Sequence, residues 1–366
     1  VSPGKTLKIS GTVTVNDYLD MNGTCSLLSN LKGTGTLTSS NANILVNYTN
    51  IENITATGGA SFVANDSYDL GGNSGWTINS STAKDYYWVG DGGSWEDGTH
   101  WALTSGGPGS GCVPTFQDDV YFDFNSFSST GQTVSISAGV ADCKTMDWSS
   151  VTNDPTFDIS DDMNVYGSLI FATNMSLSAP GSTNISLKST SSGNSLTLGG
   201  NALNAGLIFN GVGGEWDLLD SVSLTSFYRY FTVSNGTLRT NGNGISCGQF
   251  SVQNNSMVNL SSSNITIYGY LCDISSPNFN AGTSTILLAN SGGSFVGDFD
   301  SDNDFYNLVI ESFNLQHTID GSGSFNRIEQ RGNPDVLLRG GMNADSIIVS
   351  PGKTLKISGT VTVNDY

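Results

Sequence analysis

Residues 257–267 read MVNLSSSNITI: a run Met257-Val258-Asn259-Leu260, a corner Ser261-Ser262-Ser263, and a second run Asn264-Ile265-Thr266-Ile267. In each run every second side chain is apolar. That is the period of a strand with one buried face and one polar face. A corner built only from small polar residues turns the chain within a few positions. The same unit recurs along the chain at Thr6-Leu7-Lys8-Ile9, Thr12-Val13-Thr14-Val15, Thr133-Val134-Ser135-Ile136, Asn184-Ile185-Ser186-Leu187 and Ser195-Leu196-Thr197-Leu198. No convincing stretch carries apolar residues at the i, i+3, i+4, i+7 spacing of an amphipathic helix.

Two all-β architectures accommodate such runs. Tandem immunoglobulin-like sandwiches start a fresh core about every 100 residues, whereas a β-solenoid stacks short strands around one continuous core. Strands of three or four residues, small polar outward positions and like corners that can pile up favour the solenoid. The chain is therefore read as all-β, a parallel β-helix rod with a loop-rich cap or insert that carries Trp and Cys. With about 20–25 residues per coil and a rise of roughly 4.8 Å, one period makes a rod of roughly 60–80 Å.

Residues 1–18, VSPGKTLKISGTVTVNDY, recur unchanged as residues 349–366. Chance does not match eighteen positions, and the interval between the copies is that of a whole domain rather than of a small repeat. The expected reading is one period of a tandem array plus the start of the next, cut from a longer polypeptide at an arbitrary phase. Val1, which is no initiator Met, opens in mid-strand. The repeat junction is then the pair of segments Val1–Tyr18 and Val349–Tyr366.

Composition narrows the partners. Thirteen basic residues against 32 acidic ones leave a net charge of -19, which argues against nucleic acid and against docking on anionic lipid. No apolar run is long enough to span a membrane. At 37% hydrophobic residues, 10% of the chain being aromatic, a folded core is expected despite 45 glycines. The five cysteines form no CxxC pair, so an extracellular disulfide framework is more natural than a zinc site. The odd count leaves one thiol over, and Cys25 is taken as the free one.

Residues 85–124, DYYWVGDGGSWEDGTHWALTSGGPGSGCVPTFQDDVYFDF, interrupt the strand texture with three tryptophans, two prolines and His100. They read as a compact cap that begins a new solenoid unit, while Gly71-Gly72-Asn73-Ser74-Gly75-Trp76 ends the previous one. The chain then divides into 1–83, the end of one module; 84–150, the cap and start of the next; 151–348, solenoid; and 349–366, the next copy. The natural module would run from near Lys84 to near Asn79 of the following copy.

The series Trp88-Val89-Gly90, Ser94-Trp95, His100-Trp101, Ser105-Gly106-Gly107, Val113-Pro114-Thr115 and Asp118-Asp119-Val120-Tyr121-Phe122-Asp123 resembles a recurring module of large secreted surface proteins of Bacteroidetes-type bacteria. Cys112, Cys143, Asp147-Trp148 and the closing Gly71–Trp76 stretch extend the likeness, which covers about 85–150 and 68–78. It implies giant adhesins: tandem modules with β-helical segments exported to the cell surface. Together with their placement on either side of the first strands after the cap, it implies a Cys112–Cys143 disulfide. Cys247 and Cys272 lie about one coil apart, which suits a second bridge or two buried thiols stacked unbonded.

Other chemistry is thinly represented. His100 and His317 stand in no nucleophile motif, and His100, between Thr99 and Trp101, suits packing in the cap. Asp298, Asp300, Asp302 and Asp304 alternate in a way that can aim four carboxylates at calcium in a loop, although the Gly and Glu of an EF-hand loop are missing; a solvated acidic turn fits equally. The cap carboxylates Asp91, Glu96, Asp97, Asp118 and Asp119 are a more dispersed hint of the same kind. No cofactor is required, and calcium is the one the sequence admits. N-x-S/T triplets at Asn22, Asn47, Asn53, Asn184, Asn235 and Asn264 are expected by chance in so Asn-rich a chain. Asp220-Ser221-Val222 and Asp345-Ser346-Ile347 match a bacterial O-glycosylation pattern of the suspected group, at Ser221 and Ser346. The tryptophans could form a sugar-stacking platform, but packing within the cap suits them better.

The expected function is mechanical and adhesive, not enzymatic. The chain is a module of an extracellular fibre or filament on a bacterial surface, in contact end to end with identical modules and, through its sides, with surface glycans or other cells. Two alternatives stand beside it. A polysaccharide lyase or hydrolase would use paired carboxylates, but no cluster of Asp with Lys or Arg recurs along one face. A phage or virus fibre would be trimeric.

Overall fold

A computed structural model describes residues 1–40, 43–289, 295–299, 303–311, 317–332 and 335–364. It is a β-solenoid of about 16 turns. The runs expected at Thr6–Ile9, Thr133–Ile136 and Asn184–Leu187 are strands with those bounds, those at Thr12–Val15 and Ser195–Leu198 are strands over Thr12–Thr14 and Asn194–Thr197, and Met257–Leu260 and Asn264–Ile267 lie in or at the ends of longer ones. Pairing between coils is parallel, as in Ile185 over Leu207, Leu207 over Phe231 and Phe231 over Phe250, while Tyr87–Trp88 pairs antiparallel with Trp101–Ala102 within the cap. The first part is three-sided, with short sheets through Thr6–Ile9, Thr12–Thr14 and Ile44–Asn47. From Asp85–Trp88 onward, one ladder of strands runs through to Leu355–Val363, with a second sheet through Gly93–Ser94, Thr133–Ile136, Thr156–Ile159 and Ser176–Ser178.

Alternation sets which residues stack. Inward positions carry columns of apolar side chains: the rings of Phe231 and Phe250 lie 5.7 Å apart and those of Phe305 and Phe325 5.0 Å apart, both pairs stacked. Outward positions carry amide ladders. Asn235 Nδ2 donates to Asn210 Oδ1 at 2.7 Å, and Asn50 Nδ2 donates to Asn30 Oδ1 at 3.2 Å. An amide both donates and accepts, so identical amides on successive coils satisfy one another. This is a physical reason for the Asn-rich composition.

The corner at Ser261–Ser263 is one of a stack. Asn241, Ser261 and Gly282 take φ of 54°, 52° and 57°, so three successive coils turn through the same left-handed residue. Below the turn, Ser263 Oγ donates to Thr240 Oγ1 at 2.7 Å in the buried interior. Not every strand is short: Gly206–Leu218, Ile245–Asn259 and Val336–Val349 run 13, 15 and 14 residues. There the chain rounds a bend without leaving the ladder, because stacked glycines let the backbones close. A Cβ on Gly269 would sit 1.9 Å from the Gly248 carbonyl oxygen.

The apolar interior falls into two cores. One holds Ile9 to Ala64 with Trp76 and Ile78 packed against it, and the other begins at Tyr86 and runs to Ala344.

Gly282→Ala tests the stacked corner. The new Cβ would lie 2.2 Å from the Ser261 carbonyl oxygen at a φ that L side chains rarely adopt. The expected loss is about 1–3 kcal/mol, read as a lower midpoint in urea or on heating; an unchanged midpoint contradicts the stacking described.

Candidate functional site

The cap is held by its tryptophans. Trp88, Trp95, Trp101 and Trp148 are buried, and their rings meet one another or Phe122 at 3.6–5.0 Å between centroids, with Trp88 against Trp101, Trp95 against Trp101 and Phe122 against Trp148. Trp88 Nε1 donates to Asp91 O at 2.6 Å and Trp101 Nε1 donates to Trp95 O at 2.8 Å. The His100 ring stacks on Trp88 at 4.7 Å, with Nδ1 2.7 Å from Val89 O. No ring of this group is free to form a sugar platform.

The cap carboxylates are spent on backbone amides. Asp91 takes Ser128 N at 2.6 Å; Glu96 takes Ser137 N and Ala138 N, each at 3.0 Å; Asp97 takes Thr99 N at 2.9 Å. Asp119 takes Thr145 N at 3.1 Å and pairs with Lys144 at 3.0 Å. Buried Asp118 takes Lys84 N at 2.8 Å and both Thr115 N and Thr115 Oγ1 at 2.7 Å. Asp91, Glu96, Asp118 and Asp119 each tie the cap to a segment distant in sequence, while Asp97 caps the local turn at Gly98–His100.

The disulfide joins the two cores. Cys25 bonds Cys112, 87 residues apart in sequence. This corrects both expectations for these residues: Cys25 is not the free thiol, and Cys112 is not bonded to Cys143. Cys143 ends the strand Ala141–Cys143 at a buried, inward position in register with Val165, where no loop cysteine reaches it. Cys247 and Cys272 are also unbonded and buried. They sit on either side of the Gly248/Gly269 bend, Cys247 in register with Ile267 and Cys272 with Phe250. Burial pushes all three thiols up. The sequence does carry a signal that separates the classes. Cys25 and Cys112 lie among Gly, Ser and Thr without alternation, whereas the other three keep strand phase, as in Ala141-Asp142-Cys143 and Leu271-Cys272-Asp273-Ile274.

Around the disulfide, Tyr68 crosses from the first core to the cap. Its hydroxyl lies 3.0 Å from Thr115 Oγ1 and its ring 4.7 Å from Phe116. Ser26 Oγ donates to Gly111 O. Tyr86, at the rim of the second core, has its phenol pushed up to about 12 by burial and then by Asp118, so it remains protonated. An aromatic pair contributes about 0.5–1.5 kcal/mol, whereas closing a loop of this length restricts the unfolded chain by about 4 kcal/mol. The covalent link therefore dominates the contacts across this boundary.

The remaining sequence candidates are scattered. Asp300 and Asp302 lie outside the described residues. Asp298 is in the strand Phe295–Phe299 rather than in a loop, in register between Asp273 and Asp320. That column ends on Arg339, whose Nε lies 3.0 Å from both Asp320 oxygens, holding the Asp320 carboxyl below its ordinary range. Asp304 opens the strand Asp304–Ile310 and lines an open polar groove of about 550 Å³ with Tyr306, Asn326 and Asp345. Among the described residues, no group of three or more His, Cys, Asp or Glu side chains is placed to hold a metal. Ser221 is exposed and accepts from Gly244 N at 3.1 Å; Ser346 Oγ donates to Asn326 O at 3.3 Å. His317 begins the strand His317–Gly321.

The repeated segment forms a coil at each end of the rod. In the first copy, Leu7 lies over Leu31, Ile9 over Gly33 and Val13 over Leu37. In the second, Leu355 lies over Val336, Ile357 over Leu338, Val361 over Met342 and Val363 over Ala344. Leu7, Ile9 and Val15 pack on the first core, while Leu355 and Val361 pack on the second. Only the position of Leu7 and Leu355 packs on a core in both copies, although Leu7, Ile9 and Val13 and their counterparts Leu355, Ile357 and Val361 are all paired in register with the neighbouring coil. The first copy is bonded to the coil that follows it, and the second to the coil that precedes it. Several of their apolar side chains are partly exposed: Val13 43%, Ile357 54% and Val363 44%. Val1, Tyr18 and Val349 are exposed, and Tyr366 lies outside the described residues. The backbones differ at one point. The first copy breaks into Thr6–Ile9 and Thr12–Thr14 around Gly11 (φ 86°), while the second is continuous over Leu355–Val363 through Gly359 (φ 127°). Only glycine moves between those conformations without strain.

Comparison of the chain with protein-family models, with curated proteins and with solved structures gives no match. No helix among the described residues is long and apolar enough to cross a membrane.

Two measurements check the cap. Cys25→Ser with Cys112→Ser is expected to lower stability by about 2–4 kcal/mol while three thiols stay unreactive to a water-soluble thiol reagent until denaturant is added; native reaction at Cys143, Cys247 or Cys272 contradicts the burial described. The second is an acid titration of tryptophan fluorescence. The hydrogen bond from Ser128 N holds Asp91 below its ordinary range and Thr99 does the same for Asp97; at Glu96 burial pushes upward, but bonds from Ser94, Ala138 and Ser137 outweigh it. Depressed carboxyls stabilise the fold above their unfolded pKa, and that contribution disappears as pH falls through the folded value. The cap signal should therefore hold through about pH 4 and change only below it; a transition above that range contradicts the assignment.

Proposed function

We propose that the chain is a structural and adhesive module of a long extracellular fibre or filament on a bacterial surface, built from tandem β-solenoid periods. One observation carries this reading: the identical 18-residue segment pairs in parallel with the coil that follows it in the first copy and with the coil that precedes it in the second. One such segment, bonded on both sides, joins the second core of one period to the first core of the next. The mechanism is geometric. Each coil templates the next through backbone hydrogen bonds, and covering the open edges removes sites of unwanted strand pairing.

Other features agree with it. The disulfide suits an oxidising compartment, and the net charge of -19 keeps like rods apart in solution. The resemblance of the Trp-rich segment to secreted surface proteins of Bacteroidetes-type bacteria points the same way. Neighbouring modules are the end-to-end partners, and glycans or other cells are partners for the sides.

Chains of one, two and three periods, imaged by electron microscopy, test the proposal. Straight rods lengthening by roughly 60–80 Å per added period are expected. Globules joined by flexible linkers would overturn it.

A further inference from the structure

We infer that the outer wall of the cap binds the guanidinium of an arginine on a partner protein, between the Tyr121 ring and the Asp147 carboxylate. Parallel register sets Tyr87, Tyr121 and Asp147 on successive coils in one column. Their chain neighbours Tyr86, Trp88, Val120, Phe122, Met146 and Trp148 are buried, so the column faces outward. The rings of Tyr87 and Tyr121 stack, with centroids 5.0 Å apart and planes 21° from parallel. Tyr87 thus covers one face of Tyr121, and the other face is turned along the column toward Asp147. A pocket of about 160 Å³ opens there, lined by both rings with Phe124, Asp123, Asp147 and Ser150. Phe124 is 64% exposed, a large apolar ring left in water at the pocket rim.

Electrostatics set the sign of the occupant. Besides Asp123 and Asp147, the positions flanking the rings carry Asp85 in register with Asp119. The Tyr121 phenol registers this charge: burial pushes it up to about 12, and Asp85, Asp119, Tyr87 and Asp147 add to the shift. The ammonium of Lys144 is engaged with Asp119 at 3.0 Å. A cation placed over a tyrosine face is attracted by the ring as well as by the carboxylates. Shape then chooses among cations. Two near-parallel rings beside carboxylates make a flat slot, not a cage closed on several sides. A planar guanidinium stacks on such a ring and donates from its rim, whereas an ammonium is a compact, strongly hydrated point charge. The acceptors are already held in place: Asp147 Oδ1 accepts from Ser149 N at 2.7 Å and Asp123 Oδ1 from Asn125 N at 2.8 Å. The second oxygen of each remains an acceptor for a charge-assisted hydrogen bond. A neutral sugar could use the rings and Ser150 but would gain nothing from the charge. This inference goes beyond the fibre proposal, because the pocket lies within the cap of a single chain and does not depend on how periods are joined.

Titration of the full chain with N-acetyl-arginine methylamide, followed by amide NMR, tests it. Saturable shifts are expected at Tyr87, Tyr121, Phe124 and Asp147. The citrulline analogue, of similar shape without the charge, and the lysine analogue should bind more weakly by about fivefold or more. Asp147→Asn keeps the acceptor for Ser149 N while removing the charge, and Tyr121→Leu removes the ring; each should weaken arginine binding by about fivefold or more. Asp345→Asn makes the same change of charge at an exposed position far along the rod and should leave binding unaltered. Tryptophan fluorescence checks the cap of each variant, and Phe124→Ser, at an exposed ring, repeats the test should Tyr121→Leu loosen it. Shifts that spread over the surface without saturating, equal binding of the citrulline or lysine analogue, equal weakening by Asp345→Asn, or saturation of the pocket by cellobiose in place of arginine would each overturn the assignment. Rod length per added period is unaffected by any of these outcomes, so failure here is distinct from failure of the fibre proposal.

Discussion

Parallel, in-register stacking of one coil on the next is the constraint on which the rest of this structure depends. A coil cannot bury its apolar face alone. It needs a neighbour whose inward side chains stand at the same positions, and the backbone ladder enforces that match. Residues as far apart in sequence as Leu207, Phe231, Phe250 and Cys272 then form one internal column, while amides such as Asn210 and Asn235 form an external one. Because a ladder has two edges, every interior coil is satisfied twice and every terminal coil once. Both the cap and the repeated segment can be understood as answers to that imbalance.

The cap answers it where the two cores meet. There the simple stacking lapses, and large rings, carboxylates bonded to backbone amides and one covalent bond take over. Trp88, Trp101 and His100 are occupied by packing and by carbonyl partners, and Asp118 accepts from Lys84 N, Thr115 N and Thr115 Oγ1. The repeated segment answers the imbalance differently, by pairing in register with a coil of the first core in one copy and with a coil of the second core in the other. Its glycine, at position 11 and again at 359, supplies the freedom to follow either a broken or a continuous neighbour.

Much of the fold could be read from the chain because alternation is local. Thr6–Ile9 or Asn184–Leu187 declares its inward face without reference to any partner, and the Ser261–Ser263 corner declares its turn. The length of Ile245–Asn259 could not be read in this way. Gly248 resembles a stop in the sequence but is a bend within the ladder, as the close approach of Gly269 makes clear. Disulfide pairing was obscured for a related reason. Which cysteines meet depends on how the two cores are placed, and spacing along the chain favoured Cys143 over Cys25. The missing criterion was phase: a cysteine that keeps the strand alternation points inward and stays a thiol. Strand register likewise places Asp298 beside Asp273 and Asp320 on adjacent coils, a neighbourhood that spacing along the chain does not reveal.

The central claim is that one copy of the repeated segment is an interior coil shared by two periods. Amide hydrogen exchange, read residue by residue in a covalent two-period chain, tests it most directly. The account predicts that the copy between the periods exchanges as slowly as interior coils such as Tyr230–Arg239, while the outermost copies exchange fast along their open edges. Fast exchange of the middle copy, equal to that of the two outer ones, would contradict the claim.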